Sequence, residues 1–141
     1  MLSDPDDCNE LTHDIIGGVI EVHRRFGPGL LESTYSPCLK IELEARGHVV
    51  DVHVPVPLEY RGVKIEAAYW IDMLVDGRVV LELKAVESLA PVHTAQMLTY
   101  LRLSGRAVGL LINFNVAVAK DGIKRIVNRA GRTPATPASG G

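Results

Sequence analysis

The chain has 141 residues, enough for one domain with a real core, and its 47% apolar and 23% charged residues make an ordinary soluble balance. A net charge of −2 argues against a large, permanent nucleic-acid footprint. No apolar run approaches the ~18–20 residues of a membrane span, the acidic N-terminus does not read as a signal peptide, and Cys8 and Cys38 lack ligand spacing. A reduced, cytoplasmic chain with inert thiols is the simplest reading.

Residues 1–10 are acidic and are expected to be flexible. Residues 1–21 hold Asp4, Asp6, Asp7, Glu10, Asp14 and Glu21 and no Lys or Arg, while Lys120, Lys124, Arg125, Arg129 and Arg132 crowd the other end. That basic end could meet phosphates or be a solvated face. Thr12 is placed to cap a first helix with Leu11, Ile15, Val19, Val22 and Phe26 near one face. Gly17-Gly18 either weakens it or lets another element come close, and Gly27-Pro28 stops it. A second helix is expected over roughly Leu30 to Arg46, with Glu32, Tyr35, Leu39 and Leu43 along one side. Pro37 predicts a kink there or a late start.

Val49 to Glu59 carries Pro55 and Pro57, which suit an edge strand or a bulge. After the turn at Arg61-Gly62, Val63 to Val75 reads as one long strand, bent or bulged. Val79 to Ala85 is the next strand, and Pro91 opens a helix to about Ser104 that stops at Gly105. Ala107 to Phe114 is almost continuously apolar, as a strand covered on both faces must be. The intervening helix is a natural crossover. Ile123 to Asn128 is a short last strand or helix. The domain thus spans 11–128, and the Pro-, Ala- and Gly-rich tail 129–141 is expected to be disordered. The fold class is α/β: a mixed central sheet with the first two helices on one side and the third packed against it.

Charged residues recur at special places in this frame. In Val79-Val80-Leu81-Glu82-Leu83-Lys84, a period of two sets Glu82 and Lys84 on one face. Asp72 stands across the Asp76-Gly77 turn from them, Glu32 begins a helix, and Gln96 and Tyr100, four apart, share a face of the third helix with His93. Glu-x-Lys alone carries little; its company in a fixed order gives it value.

That ordered set resembles the RecB-like branch of the PD-(D/E)XK nuclease superfamily, with its GxxE, D, ExK and QxxxY motifs. More narrowly, Gly29-x-x-Glu32-x-x-Tyr35, LELKAVESL, His93-x-x-Gln96 and GLLINF look like the GxxExxY family, over about residues 11–128. The resemblance implies a single-domain nuclease-type fold with Glu32, Asp72, Glu82 and Lys84 as its core positions, all intact here. Ile71 stands where the superfamily name has Pro, and His53 where the family would carry Gln, a peripheral change.

The chemistry agrees. Carboxylates converging on one spot bind hard cations such as Mg²⁺ or Mn²⁺, which activate water and neutralise a phosphate. Asp72 and Glu82 would be the main ligands and Glu32 a third. Lys84 would orient the water or meet the phosphate, and Gln96 and Tyr100 would position Lys84, a ligand or the nucleic-acid backbone. Glu87 and His93 are either supporting groups or ordinary helix-start residues. The expected function is a metal-dependent nuclease, acting on DNA rather than RNA. The rivals are a non-catalytic binding module of the same fold and a structural homo-oligomer. Sharing one metal constrains the hairpin. An unbulged two-residue Asp76-Gly77 turn would put Asp72 and Glu82 on opposite faces, so either a three-residue turn, Val75-Asp76-Gly77, pairing Asp72 with Val80, or a compensating bulge between Asp72 and Glu82 is expected.

Overall fold

A computed structural model describes residues 5–129. The apolar spacing of Leu11, Ile15, Val19 and Val22 becomes the buried face of α1 (Asn9–Phe26), although Phe26 itself is exposed. This helix starts earlier than a Thr12 cap would place it, because the Thr12 hydroxyl donates back to the Asn9 carbonyl (3.1 Å). A 3₁₀ turn, Pro5–Cys8, precedes it with Pro5 and Cys8 buried, so the loose segment expected up to residue 10 gives way to helix from Pro5. Arg78 and Arg125 donate to the Asp7 and Pro5 carbonyls and hold it (2.6 and 3.0 Å). The tail expected to be disordered lies outside the described residues from 130 onward.

The second helix, α2 (Glu32–Ala45), begins at Glu32 and runs through Pro37, so the late start does not occur; in the second turn the proline leaves the Ser33 carbonyl without its i+4 amide donor. Gly18 serves close approach: a Cβ there would stand 2.8 Å from Leu43 Cδ2, so any side chain would push α2 off α1. Five strands follow: β1 (Val50–Tyr60), β2 (Val63–Val75), β3 (Val79–Lys84), β4 (Val108–Asn113) and β5 (Ile123–Val127), with α3 (Pro91–Ser104) between β3 and β4. They line up in sequence order, with β3 and β4 parallel and every other neighbouring pair antiparallel. The parallel pair needs a crossover, which α3 supplies. At Gly109 of β4 a Cβ would meet Met97 Sδ at 2.4 Å, so glycine lets α3 lie close on the sheet.

Two apolar clusters sandwich the sheet. Tyr35, Leu39, Met73, Val79, Leu81 and Phe114 pack with α1 and α2, and Leu74, Val80, Met97, Leu101 and Leu111 pack under α3. The β1–β2 ribbon exchanges faces along its length. Val50 and Met73 belong to the first cluster, whereas Val56 and Ile71 belong to the second. The exchange falls between the pairs Val52–Met73 and Val54–Ile71, at His53 (φ +57°) and Asp72, so Asp72 sits at a kink. Farther out the register shifts between Val56 and Leu58, the bulge that the two prolines suggested.

A polar latch ties this frame together. His48, in the α2–β1 loop, places Nε2 2.6 Å from Asp14 of α1 and Nδ1 2.7 Å from Asp76 in the β2–β3 turn. Asp14 also takes Arg46 (2.8 Å), and Asp76 takes the Val49 N–H (2.8 Å). Burial pulls the His48 pKa down, but its hydrogen bonds to the two carboxylates outweigh this and leave it raised above 6.5. The His48 hydrogen bond lowers Asp14; for Asp76, burial works upward but the Val49 N–H and His48 win. A raised imidazolium stabilises the fold fully below about pH 6.5 and loses that contribution as pH rises through its folded value. The depressed carboxylates contribute above about pH 4 and fail below it. His48→Gln should therefore melt lower than wild type by about 2–4 °C near pH 5–6, with the gap closing by pH 9. A gap independent of pH, measured by thermal denaturation, would rule out the ionic latch.

Candidate active site

The β2–β3 hairpin decides where the acids meet. Its register pairs Val75 with Val79, Leu74 with Val80 and Met73 with Leu81. Asp76 (φ +53°) and Gly77 (φ +66°) form a left-handed pair closed by the Arg78 N–H on the Val75 carbonyl (3.0 Å), and Arg78 is the extra residue. The three intervening residues are Asp76, Gly77 and Arg78, one position later than Val75-Asp76-Gly77, and Arg78 is the compensating bulge between the two acids. The pairing of Asp72 with Val80 is thereby corrected: the register carries Asp72 directly opposite Glu82. Outside the ladder, the Arg78 guanidinium donates to the Asp7 carbonyl (2.6 Å).

At that position the strands exchange side chains for ladder bonds. The Asp72 N–H donates to Glu82 Oε2 (3.0 Å), and the Leu83 N–H donates to Asp72 Oδ2 (2.9 Å). Glu82 is only 6% exposed. Burial, followed by the charge of Asp72, pushes its pKa up to about 8, against the pull of the Asp72 N–H and Lys84. Burial also raises Asp72, opposed by the Leu83 N–H and Lys84; the charge of Glu32 adds to the rise and His53 works against it. Two acids forced together in low dielectric favour a shared proton or a cation between them.

Glu32 is held at the start of α2, and its Oε2 accepts the Ala85 N–H just past β3 (3.0 Å). Tyr35, one turn on, is buried and stacked on Phe114 (4.1 Å, 7°). Its hydroxyl donates to the Gly27 carbonyl and accepts the Leu30 N–H, fixing the α1–α2 loop and so the place of Glu32. A cleft of about 500 Å³ opens between α2 and the ribbon, lined by Glu32, Ser33, Ser36, Pro37, Val52, His53, Asp72 and Leu83.

The structure brings Asp72, Glu82 and Lys84 together, with Glu32 close enough for its charge to act on Asp72. Tyr100 of α3 adjoins them: burial first, then the charges of Glu82 and Asp72, raise its pKa. Gln96 is exposed, and its side chain makes no hydrogen bond among the described residues. His93 Nδ1 accepts the Ala90 N–H (2.9 Å) and caps α3, while Glu87 is exposed. His53 is more than a peripheral residue, since it lines the cleft beside Asp72. The two-residue register shift in the ribbon brings it there; Pro55 and Pro57 signal a bulge, but neither its size nor which residue it sets opposite Asp72. Asn113 was missed too: it pairs with Lys84 in the β3–β4 ladder and bonds the Val86 N–H (3.1 Å) and carbonyl (2.9 Å), fixing the chain beyond Lys84.

A family model for the PD-(D/E)XK nuclease superfamily matches residues 9–126. The chain belongs to that superfamily. No curated protein and no solved structure matches it. Membership in the PD-(D/E)XK superfamily points to phosphodiester cleavage and hence to a nucleic-acid substrate. PD-(D/E)XK nucleases generally use divalent metal ions. Among the described residues no group of three or more His, Cys, Asp or Glu side chains could by itself hold an ion. The Asp72–Glu82 pair still fits a hard dication: both donors are carboxylates, each with a second oxygen beside the one held by a backbone N–H, and the two side chains lie within hydrogen-bond reach of each other. No helix among the described residues is long and apolar enough to cross a membrane.

An acid raised in the folded state holds a proton that the unfolded chain releases, so its effect on stability worsens from about pH 4.5 to about pH 8 and then levels off. Without metal, Glu82→Gln should match wild type near pH 4.5 and melt higher at pH 9 by about 5 °C or more. Saturating Mg²⁺ should narrow that gap by stabilising the wild type alone. Identical melting at pH 9 without metal would contradict the strained acid pair.

Proposed function

We propose that the protein is a metal-dependent nuclease of the RecB-like, GxxExxY type that hydrolyses phosphodiester bonds in DNA. The observation that carries this reading is the acid pair: Asp72 and Glu82, directly across the hairpin and each hydrogen-bonded to the opposite strand, with the charge of Lys84 acting on both. In this reading Asp72 and Glu82 would hold Mg²⁺ or Mn²⁺, and Glu32, whose charge already acts on Asp72, would add to the site's negative charge. The bound ion supplies Lewis acidity at the phosphate and lowers the pKa of a water. Lys84 orients the attacking water and meets the charge developing on the phosphate. Tyr100 steadies the nucleic-acid backbone from α3, and Gln96, one turn earlier on an exposed face, contacts the strand as it enters. The free cysteines Cys8 and Cys38 suit a reducing, cytoplasmic setting.

The choice of DNA over RNA follows the RecB-like motif order, Glu32, Asp72, Glu82-x-Lys84, Gln96-x-x-x-Tyr100. Purified protein should cut DNA with Mg²⁺ or Mn²⁺ and not with EDTA. Glu82→Gln and Lys84→Ala should each lower the rate about 100-fold or more. Equal residual cleavage in the wild type and both variants would mark a contaminant and leave a binding module of the same fold.

A further inference from the structure

Trp70 is the one tryptophan of the chain and stands 48% exposed, two residues before Asp72. An exposed indole forfeits the burial that normally keeps such a ring inside. It does not stand alone: its ring lies 5.0 Å from the His53 imidazole, tilted by 47°. His53 in turn lines the cleft beside Asp72 and Glu32. Its backbone is left-handed (φ +57°), an uncommon conformation for a residue with a side chain, at the kink that also places Asp72. The next residue back, Tyr69, is 37% exposed and tilts against Tyr100 at 5.6 Å, where the charges of Glu82 and Asp72 are felt. Aromatic pairs therefore flank the acids, one reaching them through His53 and the other through Tyr100.

Among the described cations, Lys84 stands at the acids themselves, while several others are engaged by protein groups. Lys64 of the ribbon pairs with Glu66 (3.8 Å), Lys124 bonds the Thr94 hydroxyl (3.1 Å), and Arg125 is tied to the Pro5 carbonyl and Asn9. Non-specific duplex binding rests on neutralising many phosphates, whereas a single strand offers unstacked bases whose faces every aromatic ring can take. We propose that the site takes single-stranded nucleic acid, with a base next to the reacting phosphate stacked on Trp70 at the edge of the His53 ring. This deepens the nuclease reading and rests on it for the chemistry at the acid pair, but its test does not depend on turnover.

The single indole reports its own contact. In EDTA, a short single-stranded oligonucleotide should quench the Trp70 fluorescence saturably, and a hairpin duplex of the same sequence should do so at least 10-fold more weakly. By anisotropy of a labelled single strand, Trp70→Ala should bind about 5- to 100-fold more weakly, and Trp70→Phe, which keeps a stacking face, should lose no more than about 5-fold. Equal or tighter binding of the duplex overturns the proposal. So does unchanged strand affinity in Trp70→Ala, or an indole silent to the single strand. If the wild type cuts duplex with Mg²⁺ while its indole ignores the single strand, this inference fails and the nuclease reading stands. If strand binding depends on Trp70 but no metal ion supports cutting, strand recognition stands and the nuclease reading fails.

Discussion

The site depends on a reciprocal exchange across one hairpin, in which each acid takes a backbone N–H from the other's strand. These bonds replace ladder bonds, so the strands are joined by the same groups that carry the chemistry. The arrangement is costly without a counter-charge, because burial drives Glu82 toward its neutral form. Everything around the hairpin holds the two strands in that register. The bulged Arg78 is held by the Asp7 carbonyl, and His48 grips the Asp76 end of the turn. The parallel β3–β4 ladder fixes the other side.

Parts of the chain remote from the acids thus have clear duties. Gly29, Glu32 and Tyr35 work as a unit: the loop rises to α2, Glu32 takes the first turn, and Tyr35 pins the loop by its hydroxyl while stacking on Phe114. Losing the Tyr35 hydroxyl would leave two half-buried backbone groups, the Gly27 carbonyl and the Leu30 N–H, without this partner and loosen the loop that leads to Glu32. Asn113 does the equivalent job behind Lys84, with both ends of its amide on Val86.

Most of the fold was legible because its signals are local. Helical spacing in α1, continuous apolarity in β4 and the glycine stop after α3 each act within a few residues. The parity of Asp72 and Glu82 was legible from chemistry, since sharing an ion demands an odd turn. The turn's position was not: the bulged Arg78 bonds a carbonyl 71 positions earlier in the chain, a contact that the hairpin's own residues do not announce. His53 was hidden for a like reason: a shift in the ribbon around Val56 and Leu58 and a left-handed residue bring it opposite Asp72. Pro55 and Pro57 mark where a bulge can form, but how far it shifts the register is set by packing across the ribbon.

The two prolines of β1 have one more consequence. As the outermost strand, β1 offers its outer side to any other chain in an extended conformation, the usual route to fibres and runaway assembly. Pro55 and Pro57 remove two amide donors from the middle of its eleven residues, and the bulge beside them breaks the spacing that an added strand would have to match. The ribbon can therefore carry exposed Val52, Tyr60, Val63 and Ile65 without becoming a template for its own copies.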